Sequence, residues 1–164
     1  MPPIEPTVLG NLYRQHAPAL RLYARQWGSS GEDLVQVAFV RLAQQSPPPE
    51  RILPWLYAVV RNEAHSVQRS TIRRRQREQE RCHPEAWFDA ADSRLDAAEV
   101  AAGLAELPLE LREVIVAHIW GGLVFEDIAA MIGCSVATAH RRYQAGLAQL
   151  RQRYQLPCNP TAAK

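Results

Sequence analysis

With 164 residues, 47% of them hydrophobic, the chain can bury a real core in one ordinary domain or two small ones, and wholesale disorder is excluded. No apolar run approaches the roughly 18–20 residues of a membrane span, and "MPPIEPTVLG" lacks the basic head and apolar centre of a secretory signal, so a soluble cytoplasmic protein is expected. The net charge is only +2, but six arginines face one acid over 61–77, ten acids face three arginines over 78–113, and five cations meet no acid from 135 onward.

Val8, Leu9, Leu12, Tyr13, His16, Leu20, Tyr23, Ala24 and Trp27 recur every three or four residues, which predicts a long amphipathic first helix closed by Gly28. Ser30-x-x-Asp33 resembles a capping box and opens a second helix to about Gln45. The prolines of "SPPPE" stop it, because they supply no amide donors and disfavour helical geometry ahead of them. Pro54 fits the first turn of a third helix, where its missing N–H costs nothing. That helix turns Ile52, Leu56, Val59, Val60, Ala64 and Val67 inward and runs into the arginine cluster.

"CHPEAWFDAADS" (82–93) breaks the periodicity and reads as a linker. Ser93-x-x-Asp96 caps a fourth helix ended by Pro108, and a fifth, Glu110–Trp120, buries Leu111, Val114, Ile115 and Ile119 before Gly121-Gly122. A short sixth helix, Phe125–Ile132, stops at Gly133, and a seventh starts with Ser135 as N-cap and continues to about Tyr154. No β-alternating segment competes. The expected fold class is all-α, as two small helical domains, 7–81 and 94–155, joined by the linker 82–93 and followed by a tail, 156–164.

Two short helices around a tight glycine turn make a helix-turn-helix, with Gly133 free to take the left-handed conformation that ends the first of them. At about 100° per residue, Val136, Ala139, Tyr143, Leu147, Leu150 and Tyr154 form one stripe of the seventh helix. Ala137, Thr138, Arg141, Ala145, Ala148 and Gln152 lie opposite, with Arg142 and Gln144 flanking. Small residues and hydroxyls let a helix approach DNA closely, and arginine can fork onto guanine or phosphate. His140 lies near the apolar stripe, so packing against the preceding helix and base contact are both open.

The third helix offers a second polyanion surface. Asn62 and His65 lie one turn apart with Arg61 and Arg69 on neighbouring faces, a combination that can hold unstacked bases and neutralise backbone charge. Arg73, Arg74 and Arg75 read most simply as phosphate contacts. Trp55 and Tyr57 can stack on a base, although helical spacing beside Leu56 favours a core role for Trp55. Two basic regions split by an acidic one fit two DNA-binding surfaces, the plain alternative being two solvated helix faces.

Catalysis is not expected. There is no glycine-rich phosphate loop, no nucleophile elbow and no carboxylate pair in a catalytic setting, and the five histidines are scattered. Cys82, Cys134 and Cys158 are an odd count without CxxC spacing, and Cys82-His83 has no second ligand pair nearby, so neither a disulfide framework nor a metal or cofactor is expected.

"LAELPLELREVIVAHIWGGLVFEDIAAMIGCSVATAHRRYQAGLAQLR" (104–151) resembles the region-four domain of bacterial sigma factors. "EDLVQVAFVRL" (32–42) followed by "WLYAVVRNEAHSVQR" (55–69) resembles their region-two domain, and the likeness extends over about Leu9–Tyr154. The chain shows neither the N-terminal inhibitory region nor the third domain, which points to the extracytoplasmic function group. The resemblance implies a dissociable subunit that directs core RNA polymerase to promoter DNA. It places Asp33, Leu34, Gln36 and Phe39 on the clamp helices of the largest subunit. It assigns the Pro47–Pro54 loop and the following helix, with Arg61, Asn62, His65, Arg69, Arg73, Arg74 and Arg75, to the −10 element and its melting. The seventh helix then reads the −35 element while its domain rests on the polymerase flap. Ala145 and Gly146 stand where arginine is frequent, so the −35 contacts concentrate on Thr138, His140, Arg141, Arg142 and Gln144. Val37 and Val124 also depart from the pattern, replacing an acid after the Gln of "DLVQ" and a capping Ser or Thr. An anti-sigma protein is a further partner the resemblance implies; membrane insertion is not. A helix-turn-helix regulator acting without core polymerase is the alternative, and it leaves "EDLVQ" and the third-helix arginines unexplained.

Overall fold

The computed structural model describes residues 4–27, 31–75 and 97–154, and side chains within these except those of 71–75 and 97–99. Seven helices and no strand occur among the described residues: α1 Pro6–Arg25, α2 Gly31–Gln44, α3 Ile52–Arg75, α4 Ala97–Glu106, α5 Leu109–Ile119, α6 Phe125–Ile132 and α7 Val136–Tyr154. Gly28, the Ser30 and Ser93 caps, Arg77, the 82–93 linker with Cys82 and His83, and the 156–164 tail with Cys158 lie outside the described residues.

α1, α2 and α3 form one bundle. Its centre holds Leu20, Tyr23, Ala24, Val35, Ala38, Leu42, Leu56, Tyr57 and Val60, all buried. Tyr13 meets Phe39 edge-on at 5.0 Å, which locks α1 to α2. Val67, expected to face inward, is 40% exposed. α3 is 24 residues long against 14 for α2, so its C-terminal turns outrun the helices that would cover them.

The second bundle is built on the pairing of α5 with α7. A Cβ at Gly146 would come within 2.5 Å of Ile115 Cδ1 and 3.4 Å of Leu111 Cβ, so a missing side chain is what lets the two axes close. Ile119, also expected inside, is 48% exposed, because the chain reverses at Gly121-Gly122 and Leu123 takes the core position instead, 2% exposed. Gly133 sits at φ +73° as the C-cap of α6, its N–H bonding to the Ala129 carbonyl. Ser135 Oγ accepts the Thr138 amide at 3.1 Å, satisfying one of the free donors that open α7. Val124 precedes α6 with no side-chain cap.

The two bundles meet, with α1 and α3 against α5 and α6, and their buried side chains form one continuous cluster. The absence of a side chain at Gly121 lets Tyr57 of α3 approach: a Cβ there would lie 2.6 Å from the Tyr57 hydroxyl and 2.8 Å from Cζ.

Candidate nucleic-acid interface

α7 presents its polar face to solvent. Thr138 is half-buried, and His140, Arg141 and Gln144 are exposed. Thr138 Oγ1 lies 2.9 Å from Ser135 Oγ and accepts a bond from Arg141 Nη2 at 3.1 Å. The capping serine therefore orients the threonine, and the threonine steadies the guanidinium. Arg142 pairs with the exposed Glu110 at 3.3 Å, a surface contact of little energetic weight that leaves the arginine available. His140 packs its ring edge-on against Phe125 at 5.0 Å while the residue stays exposed.

An aromatic platform behind this face fixes the crossing of α6 and α7. His118 stacks on Phe125 at 4.5 Å, Tyr143 meets both rings edge-on, and His118 Nδ1–H donates to the Leu123 carbonyl at 2.8 Å. Sequence reasoning missed His118 and Phe125 as a unit. Their relation depends on the turn at 121–124, which carries no periodic signal.

On α3, Asn62 and Arg69 are exposed, so they remain available to a ligand. His65 is half-buried with its ring edge-on to Trp27 at 5.5 Å. Burial, followed by the neighbouring Arg61 charge, lowers its pKa below the ordinary histidine value. Arg61 is not free. Its Nε donates to Glu113 Oε1 at 2.6 Å, and the same oxygen accepts the Tyr23 hydroxyl at 2.7 Å. Arg73, Arg74 and Arg75 fall in the last turn of α3, and their side chains lie outside the description. Trp55 is half-buried against the core, and Tyr57 is fully buried, so Tyr57 offers no free face for stacking.

α2 corrects two expected contacts. Leu34 and Phe39, expected on the polymerase, are each 5% exposed and face the core, because α2 must bury one side on α1 and α3. Asp33 and Gln36 do face outward, and with Val37, Val40, Arg41 and Gln44 they line a shallow groove. Val37 and Val40 are the exposed apolar side chains of this face, at 37% and 55%. Among the described residues no group of three His, Cys, Asp or Glu side chains is placed to hold a metal, and no helix is long and apolar enough to cross a membrane.

Two family descriptions match this chain in order: sigma-70 region 2 over residues 12–78 and sigma-70 region 4 over 97–150. The chain belongs to the sigma-70 family. Relatives place it among the extracytoplasmic function sigma factors. It is 32% identical over 158 residues to the ECF RNA polymerase sigma factor SigE of Mycolicibacterium smegmatis, covering 85% of this sigma chain and 59% of that protein. Against the RNA polymerase sigma factor CarQ of Myxococcus xanthus it is 28% identical, covering 87% of this chain and 86% of that one. In three dimensions it is similar to the sigma factor RpoE of Bartonella quintana, solved in complex with the anti-sigma factor NepR. The TM-score is 0.79 at 26% identity, over 93% of this chain and 99% of that one. CnrH in complex with the cytosolic domain of CnrY matches with a TM-score of 0.62 at 26% identity, over 94% and 92%. The α6–Gly133–α7 turn and α2–α3 fall inside the matched regions, so both surfaces described above are parts of the family fold.

Proposed function

We propose that the chain is a sigma subunit that binds core RNA polymerase, directs it to particular promoters and helps open the −10 DNA. The reading rests on one observation: a region-two part and a region-four part occur in order, each with an outward polar surface, α2–α3 in one and α7 in the other. In this role α7 enters a major groove at the −35 element. Arg141, steadied by Thr138, makes the leading contact, with Thr138, His140, Arg142 and Gln144 around it. Asn62, His65, Arg69 and the arginines at 73–75 hold the melted −10 strand, as stacked bases and phosphates require. Asp33, Gln36, Val37 and Val40 form the polymerase contact, with Leu34 and Phe39 supporting it from the core. The working parts are 7–81 for core and −10 binding and 94–155 for −35 binding.

The chain acts in the cytoplasm as an initiation factor and not as an enzyme; nucleotidyl transfer belongs to the polymerase. By likeness to RpoE with NepR and CnrH with CnrY, an anti-sigma protein is its expected inhibitor.

The test is transcription in vitro with purified chain and core polymerase, followed by mapping of the DNA upstream of each transcript. Promoter-dependent transcripts support the reading, and failure to bind core overturns it. Val40→Asp separates it from a regulator that works without polymerase. A sigma factor loses core binding and output, whereas a regulator keeps full activity.

A further inference from the structure

We propose that Tyr13, Arg21 and Glu32 are positioning residues for the polymerase contact, holding the Gln36 side chain so that its carbonyl oxygen faces the partner. The proposal rests on the sigma reading, since it concerns how one groove of that surface is set.

Gln36 lines the groove on α2 with Asp33, Val37, Val40, Arg41 and Gln44. An exposed glutamine left to itself turns freely, offers either end of its amide, and loses that freedom when a partner binds. Gln36 is held instead. Its side chain hydrogen-bonds to Glu32, one helical turn before it, where residues four apart are neighbours on the helix surface. A carboxylate only accepts, so Gln36 gives it the amide NH2, and the carbonyl end is the one left for a ligand.

Glu32 serves as the anchor because α1 grips it from behind. The Tyr13 hydroxyl donates to Oε1 at 2.7 Å, while Arg21 brings Nε to 2.5 Å from Oε2 and Nη2 to 3.3 Å from Oε1. Arg21 Nη2 also donates to the Tyr13 hydroxyl at 3.3 Å, and its guanidinium carbon lies 5.9 Å from the centre of the Tyr13 ring. That ring rests edge-on against the buried Phe39. The Tyr13 bond above all, helped by the Arg21 charge and the Gln36 bond, holds the Glu32 carboxyl below the usual carboxylate range. It is therefore ionised near neutral pH and has no proton to give. The Glu32 side chain is 43% exposed, so a lone ion pair there would stabilise little. What the shared carboxylate supplies is direction: support runs from the core at Phe39 through Tyr13 and Glu32 to the Gln36 amide. Asp33 beside it also only accepts when ionised, so this end of the groove shows acceptors, and the polymerase patch that meets it has to offer cationic donors.

The experiment is a double-mutant cycle on the full chain, labelled with fluorescein at its amino terminus and titrated with core polymerase, anisotropy reading the Kd. Gln36→Ala and Glu32→Ala are each expected to weaken binding by about three- to tenfold, the worth of one hydrogen bond. Combined, they are expected to weaken it no more than Gln36→Ala alone, because Glu32 acts through Gln36. Tyr13→Phe keeps the ring on Phe39 and loses only the hydroxyl; its smaller loss is also expected to vanish in the Gln36→Ala background. With Gln44→Ala, farther along the groove, Glu32→Ala is expected to keep its full effect. If Glu32 touched the polymerase itself, or acted only by steadying the helix, the losses from Glu32→Ala and Gln36→Ala would multiply, and that result overturns the proposal. Parent affinity in either single variant overturns it as well. Should Glu32→Ala lose helical circular dichroism, the Tyr13→Phe cycle decides by the same criterion. A parent chain that does not bind core removes the sigma reading and this proposal with it; a parent that binds while the losses multiply removes the proposal alone.

Discussion

Replacing Gly121 by Ala adds one carbon where the structure has no room. The new Cβ would press on the Ala117 carbonyl oxygen, which is backbone, and lie 2.6 Å from the Tyr57 hydroxyl. Tyr57 is fully buried, so its ring has no open side to move into. Overpacking of a closed site costs about 1–3 kcal/mol, and with two rigid walls the upper end, about 3 kcal/mol, applies. The lost backbone freedom of the unfolded chain returns about 0.4–1 kcal/mol, leaving about 2 kcal/mol of net destabilisation. For a chain of this size that corresponds to a melting point lower by about 4–8 °C. Far-UV circular dichroism melts measure it, and Tyr57→Leu in the same background should recover part of the loss by making space. Gly133 is the contrast. Its backbone is at φ +73° with nothing near a Cβ, so Gly133→Ala costs about 1–2 kcal/mol through backbone strain alone, and Asn costs less than Ala. At Gly121 the order reverses, Asn being the larger. A Gly121→Ala chain that melts with the parent would refute the packing argument.

Phe39→Ala should lower stability by about 3–5 kcal/mol in a denaturant titration, whereas Val40→Asp should leave the melting point near the parent and weaken core polymerase binding, read by size-exclusion co-elution. Arg141→Ala should reduce the salt slope of duplex binding by about 0.9, the loss of one phosphate contact, or else relax preference at one base position. In a footprint across promoter variants these two results are separable. Burial lowers the His65 pKa below its ordinary 6.5, so the unfolded chain binds more protons than the folded one between the two values. His65 therefore supports the fold above pH 6.5 and that support is lost as pH falls through 6.5 toward the lowered value; melts of the parent against His65→Gln should show a shallower acid decline in the variant.

Local chemistry made α6, Gly133 and the Ser135 cap legible, because a left-handed glycine and a hydroxyl N-cap act within a few residues of themselves. Periodicity was a weaker guide where a helix lacks a covering neighbour. Val67 and Ile119 carry the right spacing and the wrong environment, one past the end of its bundle and one beside a chain reversal. Leu34 and Phe39 erred the other way, since a motif associated with polymerase contact contains both the touching residues and those that hold them up. Gly146 has no local reading except as a poor helix former; only the approach of Ile115 explains it. The capture of Arg61 joins residues 52 apart in the chain, a relation outside any single helix.

Asp127 stands at the third position of α6, where an acid can accept from the amide of the N-cap residue, here Val124. Here it reaches to Arg51 instead, and Val124, having no polar side chain, offers no side-chain acceptor to the Asp127 amide, which bonds to the Val124 carbonyl. The first helix of the DNA-reading pair thus lends its own terminating group to a neighbour. Without Arg51 the carboxylate would still lie in the first turn of α6, where the positive pole of the helix favours it. That fallback offsets part of the lost contact, so Arg51→Ala should cost less stability than the removal of an ion pair on an 8% exposed carboxylate suggests.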